Sequence, residues 1–138
     1  MYHAETQIRV RYGETDQMGY VYYGNYASYY EVARVESLRQ LGFAYRDLEK
    51  MGIMLPVLEN HTKFHRPAKY DEVLTVKVTI PEKPSLKMRF LYEIYNEEEQ
   101  LINSGETILV FIKQATMKPC RMPQVMEGLL GPYFNSVD

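Results

Sequence analysis

The stretch Tyr26-Ala-Ser-Tyr-Tyr-Glu-Val-Ala-Arg-Val-Glu-Ser-Leu-Arg-Gln-Leu41 decides how this chain folds. Within it Tyr26, Tyr29, Tyr30, Ala33, Leu38 and Leu41 recur at helical spacing, which puts their side chains on one face. Glu31, Arg34, Glu36 and Arg39 occupy much of the remaining circumference, and Gly42 stands where a helix end commonly takes a left-handed residue. The reading is one long helix over Tyr26–Leu41 whose apolar stripe needs a second layer to cover it. Glu31 and Arg34, three apart, are expected to form a structural ion pair.

That second layer is supplied from both sides in sequence. Thr6–Tyr12 alternates Ile8, Val10 and Tyr12 with Gln7, Arg9 and Arg11, the period-two pattern of a half-buried strand. Beyond the helix, a short helical piece at Tyr45–Met51 precedes Ile53–His65, an irregular strand interrupted by Pro56. Glu72–Ile80 then sets Leu74, Val76, Val78 and Ile80 against Thr75, Lys77 and Thr79. Leu86–Ile94 does the same with Leu86, Met88, Phe90, Tyr92 and Ile94, after a turn at Pro81-Glu-Lys-Pro84. Asn96–Gln100 reads as a hairpin tip, and Glu106–Lys113 as the last β-rich run. Strand, long helix, then about four antiparallel strands is an α+β layout in which one sheet of about five strands covers one helix. Glycine and proline are scattered rather than gathered at a boundary, so residues 1–138 read as a single domain. Exposed sheet edges invite pairing with a second copy, and at least a dimer is expected.

Composition removes several function classes. The chain carries 16 Lys plus Arg against 18 Asp plus Glu, a formal charge of −2, so it lacks the basic footprint that duplex nucleic acid requires. No stretch approaches the roughly 18–20 apolar residues that span a bilayer, and the first residues contain no apolar signal region; a cytoplasmic location is the expectation. A lone Cys120 offers no internal disulfide, and His61 and His65 find no companion ligands, so neither metal nor cofactor is expected. The 13 tyrosines, concentrated between Tyr20 and Tyr30, suit a half-wet cleft or interface and equally a tyrosine-rich core edge.

Chemistry concentrates in Tyr12–Tyr26, where Glu14 and Asp16 stand in a glycine-punctuated loop just ahead of the long helix. A helix N-terminus carries unpaired backbone N–H groups and partial positive charge, which polarise a carbonyl and favour a nearby anion. A carboxylate beside such donors is sufficient for acyl transfer by nucleophilic or general-base attack. The same acids would also serve as ordinary helix caps.

This loop resembles the signature of the hotdog-fold acyl-CoA thioesterases of the 4-hydroxybenzoyl-CoA thioesterase type, including the bacterial Tol-Pal-associated enzymes. The residues that carry the likeness are Tyr12, Glu14, Thr15, Asp16, Gly19, Val21, Tyr22, Tyr23, Asn25 and Tyr26, followed by Glu31, Ala33 and Arg34. Phe64–Asp71 resembles the family's stretch leading into the next strand. The resemblance implies a helix wrapped by a curved sheet, dimers with active sites between subunits, and often a dimer of dimers forming a homotetramer. It implies an acyl-CoA thioesterase in which Asp16 is nucleophile or general base, the Tyr23 N–H polarises the thioester carbonyl, and Gly19 belongs to the catalytic loop. Glu14, Asn25 and Tyr26 are implied substrate contacts. Two positions depart from the usual pattern: Glu14 replaces an aspartate, and Tyr23 stands where many Tol-Pal-type members have histidine. Coenzyme A brings phosphates, for which Lys87, Arg89, Lys118 and Arg121 are the candidate contacts across a subunit interface. An acyl carrier protein thioester shares the phosphopantetheine arm and remains an alternative substrate, as does a binding role without turnover.

Overall fold

The computed structural model describes residues 1–135 and begins with strand β1 (Tyr2–Arg9). Positions 136–138 of the expected unit lie outside the described residues. Two short 3₁₀ turns, Tyr12–Glu14 and Tyr23–Asn25, bracket the acidic loop and lead into α1 (Tyr26–Gln40). Gly42, with φ +89°, ends that helix in the left-handed conformation glycine adopts without cost. There follow α2 (Tyr45–Lys50), β2 (Ile53–Met54), β3 (Val57–Phe64), β4 (Val73–Ile80), β5 (Lys87–Tyr95), β6 (Leu101–Val110), β7 (Ile112–Lys113), β8 (Lys118–Pro119) and α3 (Gln124–Leu130).

The principal sheet is antiparallel throughout, in the order β1-β4-β5-β6-β3, with β2, β7 and β8 forming a small second sheet. Leu74, Val76, Val78 and Ile80 of β4 and Met88, Phe90, Tyr92 and Ile94 of β5 are all buried, as their alternation requires. Each such side chain contributes about 1.5–3 kcal/mol on removal from water. α1 covers this face with Tyr26, Tyr29, Tyr30, Ala33 and Leu38. The result is the α+β hotdog layout of one long helix against a five-stranded antiparallel sheet.

Tyr30 ties the helix to the middle of the sheet. Its ring stacks on Tyr92 at 4.1 Å between centroids and 6° between planes, and its hydroxyl donates to Asn103 Oδ1 on β6. Gly105, two residues further along β6, leaves room for it: a Cβ there would stand 2.6 Å from Tyr30 Cζ. A neighbouring bond joins the Tyr92 hydroxyl and Thr107 Oγ1 at 2.6 Å. Thus Asn103 and Gly105, which lie outside the strand expected from the sequence, are held in β6 because an aromatic from the helix reaches them.

Several expectations require correction. The first strand spans Tyr2–Arg9 rather than Thr6–Tyr12, and Tyr12, assigned to the inner face, is 78 % exposed in the turn that follows. Leu86 lies ahead of β5 and is exposed. The last long strand begins at Leu101, not Glu106, and breaks at Phe111, where the chain passes into the small sheet. Ile53–His65 divides at Pro56 into β2 and β3, since proline donates no hydrogen bond to a ladder. α3 carries Met126 and Leu130 into the core and was not anticipated. Glu31 and Arg34 make no ion pair among the described residues: Arg34 turns inward toward Tyr45 and Tyr92, while Glu31 stays exposed.

Candidate active site

The acidic loop is folded by its own carboxylates. Asp16 Oδ1 accepts from the N–H groups of Met18 (2.9 Å) and Tyr20 (3.2 Å), while the Gly19 N–H donates to the Asp16 carbonyl at 2.9 Å. Gly19 has φ +81°, a conformation that side chains resist, and so lets the chain double back within four residues. The Asp16 N–H donates to Tyr20 O at 2.8 Å and the Val21 N–H to Ala68 O at 2.8 Å, which fastens the returning strand of the loop to the segment after β3. Asp16 Oδ2 takes no hydrogen bond among the described residues and is therefore the free end of a carboxylate whose other oxygen is anchored.

Glu14 works in the layer behind. Its Oε1 accepts from the Arg11 N–H (2.8 Å) and the Tyr29 hydroxyl (2.8 Å), and its Oε2 pairs with the Arg11 guanidinium at 3.0 Å. Its backbone carbonyl accepts from Asn25 Nδ2 at 2.8 Å and from the Tyr22 N–H at 2.9 Å. Burial alone would raise the Glu14 pKa, but the hydrogen bonds from Arg11 and Tyr29 together hold it below the usual value. Burial and the Glu14 carboxylate push the Tyr29 hydroxyl upward in turn, so it keeps the proton it donates. Glu14 and Asn25 therefore join the segment after β1, the loop and α1 into one unit.

A folded-state pKa below the ordinary 4.5 means that Glu14 stabilises the fold fully above that value and loses its contribution as pH falls through the lower folded value. Glu14→Gln should accordingly be less stable than the parent at neutral pH, with the difference shrinking on acidification below the usual carboxylate range. Thermal melts across pH 3–7 check this; a constant difference at every pH would remove ionised Glu14 from the loop's stability.

Asp16, Tyr23 and Tyr26 meet in one cleft of about 340 Å³, together with Tyr20, Val21 and Phe64–Pro67. The Tyr23 and Gly24 N–H groups open the 3₁₀ turn that runs into α1, the positions at which a helical turn has no internal acceptor to offer. The Tyr23 ring is 66 % exposed and lies edge-on to Phe64 at 6.4 Å, while Tyr26 meets Phe64 at 5.5 Å. Burial pushes the Tyr26 hydroxyl up to about 12, so it is a proton donor and not a base at neutral pH. The cleft combines one free carboxylate oxygen, unpaired backbone donors and aromatic walls.

The basic candidates lie elsewhere in the chain. Arg89 is held by Glu106 at 2.5 Å and Glu82 at 3.3 Å on the outer side of the sheet. Arg121 lines a different depression with Lys83 and Glu127, Lys87 begins β5, and Lys118 lies on exposed β8. Phe64, His65, Arg66 and Pro67 line the Asp16 cleft although none was a candidate. Their signal was the Phe64–Asp71 block, which carried the resemblance without a role attached to it.

A profile of the thioesterase-like superfamily matches residues 10–130. The chain is 31 % identical over 117 residues to an acyl-CoA thioester hydrolase of Escherichia coli O157:H7, covering 85 % of this chain and 87 % of that protein. Among solved structures it resembles a DHNA-CoA thioesterase from Staphylococcus aureus, at 38 % identity and a TM-score of 0.89, covering 96 % of this chain and 89 % of that one. A hypothetical protein from Thermus thermophilus follows at 34 % identity and a TM-score of 0.86, covering 93 % and 97 %. The matched span takes in the whole acidic loop, α1 and four of the five strands of the principal sheet, and on that ground the chain belongs to the thioesterase-like superfamily.

Proposed function

We propose that this protein hydrolyses acyl-CoA thioesters, releasing a carboxylic acid and free coenzyme A. The observation that carries the reading is the state of Asp16: one oxygen fixed by two backbone N–H groups, the other unpartnered in a cleft beside the start of α1. A thioester carbonyl has little resonance stabilisation, so polarisation and a positioned oxygen nucleophile are enough to open it. In this reading the Tyr23 N–H donates to the developing oxyanion while Asp16 Oδ2 attacks the carbonyl carbon or takes a proton from the attacking water. Gly19 holds the loop that aims the carboxylate, and Tyr26 with Phe64 forms the wall against which the acyl group lies. Arg66 places a cation on the cleft wall for the coenzyme's phosphates, and Lys87, Arg89, Lys118 and Arg121 would reach them from a second subunit. The superfamily match and the acyl-CoA relative support the substrate class. Thiol release from a panel of short, medium, long and aromatic acyl-CoAs tests it, and silence across the panel would refute it.

The functional unit in this proposal is a dimer. β3 pairs with β6 on one side and presents its other edge unpaired, with Val57, Leu58 and Phe64 exposed by 44 %, 53 % and 55 %. An exposed eight-residue edge strand with apolar residues at both ends is a template for strand pairing. β1, the opposite edge, is partly covered: Gln40 Nε2 donates to Glu5 O at 3.1 Å and Tyr2 packs against Tyr133. Because Phe64 belongs both to that edge and to the cleft, pairing would complete the cleft. Light scattering should return at least twice the 16.3 kDa chain mass. Leu58→Glu should shift the population toward single chains and lower turnover together; a monomeric parent with full activity would sink the proposal.

A further inference from the structure

α1 starts without a side-chain cap, although one of the best capping residue types stands at its start. Asn25 immediately precedes Tyr26, yet its side chain accepts from no helix N–H, and its own backbone is already helical at φ −78° and ψ −15°. The helical path therefore runs back through the 3₁₀ turn Tyr23–Asn25 to Tyr22, which is extended at φ −62° and ψ 133° and whose side chain caps nothing either. The Tyr23 and Gly24 N–H groups are left without an acceptor among the described residues.

The Asn25 amide is used elsewhere. Its Nδ2 donates to the Glu14 carbonyl at 2.8 Å, reaching back eleven residues along the chain. The opposite orientation of the amide would set two carbonyl oxygens against each other, so this bond fixes which way the side chain lies. The same Glu14 carbonyl accepts from the Tyr22 N–H at 2.9 Å, and the Asn25 N–H closes the turn onto Tyr22 O at 2.9 Å. Tyr22 and Asn25 flank the two open N–H groups, and both hang from one oxygen whose two lone pairs they use. That oxygen lies two residues before Asp16, and the Glu14 side chain behind it is held by Arg11 and Tyr29. Asp16 is bonded in turn to Tyr20 through its N–H and its Oδ1, and Thr15 pairs with Val21 across the loop.

A reaction at a carbonyl needs the attacking oxygen and the N–H donors on fixed sides of one carbon, and a misplacement of about 1 Å costs on the order of 10² in rate. We infer that Asn25 is a positioning residue: by clamping the Tyr23–Asn25 turn to the Glu14 carbonyl, it sets the distance between the open N–H pair and the Asp16 carboxylate. This rests on the thioesterase reading of the cleft and deepens it. The resemblance made Asn25 a substrate contact, whereas its Nδ2 is spent inside the protein. Without that bond the turn would hang from Glu14 by the Tyr22 N–H alone.

The test is steady-state thiol release by the full chain on the acyl-CoA panel, with Asn25→Ala and Thr15→Val beside the parent. Asn25→Ala should lower kcat by about 10- to 100-fold and leave KM within about threefold. The factor should be the same for every acyl group, because the change falls at the carbonyl and not at the acyl or coenzyme contacts. Thr15→Val removes a loop hydrogen bond of the same length, from Thr15 Oγ1 to Tyr12 O at 2.8 Å, without touching the Glu14 carbonyl. It should keep kcat within about threefold, as a general loosening of the loop would not. Should Asn25→Ala fail to fold, Asn25→Ser, favoured at helix starts and too short to reach the carbonyl, decides in its place. An unchanged kcat in the Asn25 variant, a loss carried by KM, or an equal fall in Thr15→Val would overturn the clamp and leave the thioesterase reading standing. No thiol from the parent with any acyl-CoA would remove both together.

Discussion

Asp16→Asn should lower kcat for acyl-CoA hydrolysis by about 10²–10⁴-fold, with melting temperature and oligomeric mass close to the parent's. The substitution is matched to the geometry. An asparagine carbonyl oxygen can occupy the position of Oδ1 and continue to accept from the Met18 and Tyr20 N–H groups, so the loop keeps its turn. What changes is the free position in the cleft, where an anionic oxygen becomes an amide NH₂ that can neither attack a carbonyl nor take a proton. The loss should therefore appear in kcat far more than in KM. Thiol-release kinetics on parent and variant side by side, with circular dichroism to confirm the fold, make the comparison. Activity retained within a few-fold would take Asp16 out of the chemistry and return it to the role of a loop cap.

The largest stability effect is expected at Gly105, far from the cleft. Gly105→Ala introduces a Cβ that would stand 2.6 Å from Tyr30 Cζ and 2.7 Å from Tyr30 Cε2, below any normal contact distance. Neither side yields easily. The glycine is in the middle of β6, paired with Thr62 on β3 and Tyr92 on β5, and the Tyr30 ring is fully buried, stacked on Tyr92 and bonded to Asn103. Overpacking of this kind costs about 1–3 kcal/mol, and loss of the Tyr30 hydrogen bond adds about 1 kcal/mol more. A fall in melting temperature of roughly 5–10 °C should follow. Adding Tyr30→Phe removes the hydroxyl, so the double variant should recover part of the loss relative to the sum of the single ones. Strict additivity would mean that the two residues do not contact as described.

Much of this molecule was legible beforehand, and the reasons differ by element. α1 was readable within one residue because Tyr26, Tyr29, Tyr30, Ala33 and Leu38 recur at helical spacing and the run ends just ahead of a left-handed glycine. β4 and the body of β5 were readable because strict alternation over eight or nine residues leaves one register. The first half of β6 was not, because Asn103, Ser104 and Gly105 lack strand propensity when taken alone. Asn103 is buried there because Tyr30 offers it a hydroxyl, and Gly105 is tolerated because the same ring occupies the space of its side chain. The separation of Glu31 from Arg34 was equally hidden. A helical i,i+3 spacing makes the pair possible, but Tyr45 and Tyr92 draw the guanidinium inward.

For the candidate site, local sequence fixed the loop and tertiary structure fixed the cleft. The order of Glu14, Asp16, Gly19 and Tyr23 placed two carboxylates in a glycine-punctuated loop ahead of the helix's unpaired N–H groups, a pattern that helix capping would also produce and from which the family resemblance singled out Asp16; the turn itself forms within a few residues. The opposite wall comes from Phe64–Pro67, some forty residues away, and a separate depression brings Arg34 of α1 together with Asn60 of β3 and Thr107 of β6. No local pattern encodes those meetings. They follow from where an antiparallel sheet places its edge strand against one helix, and that depends on the packing of the whole core.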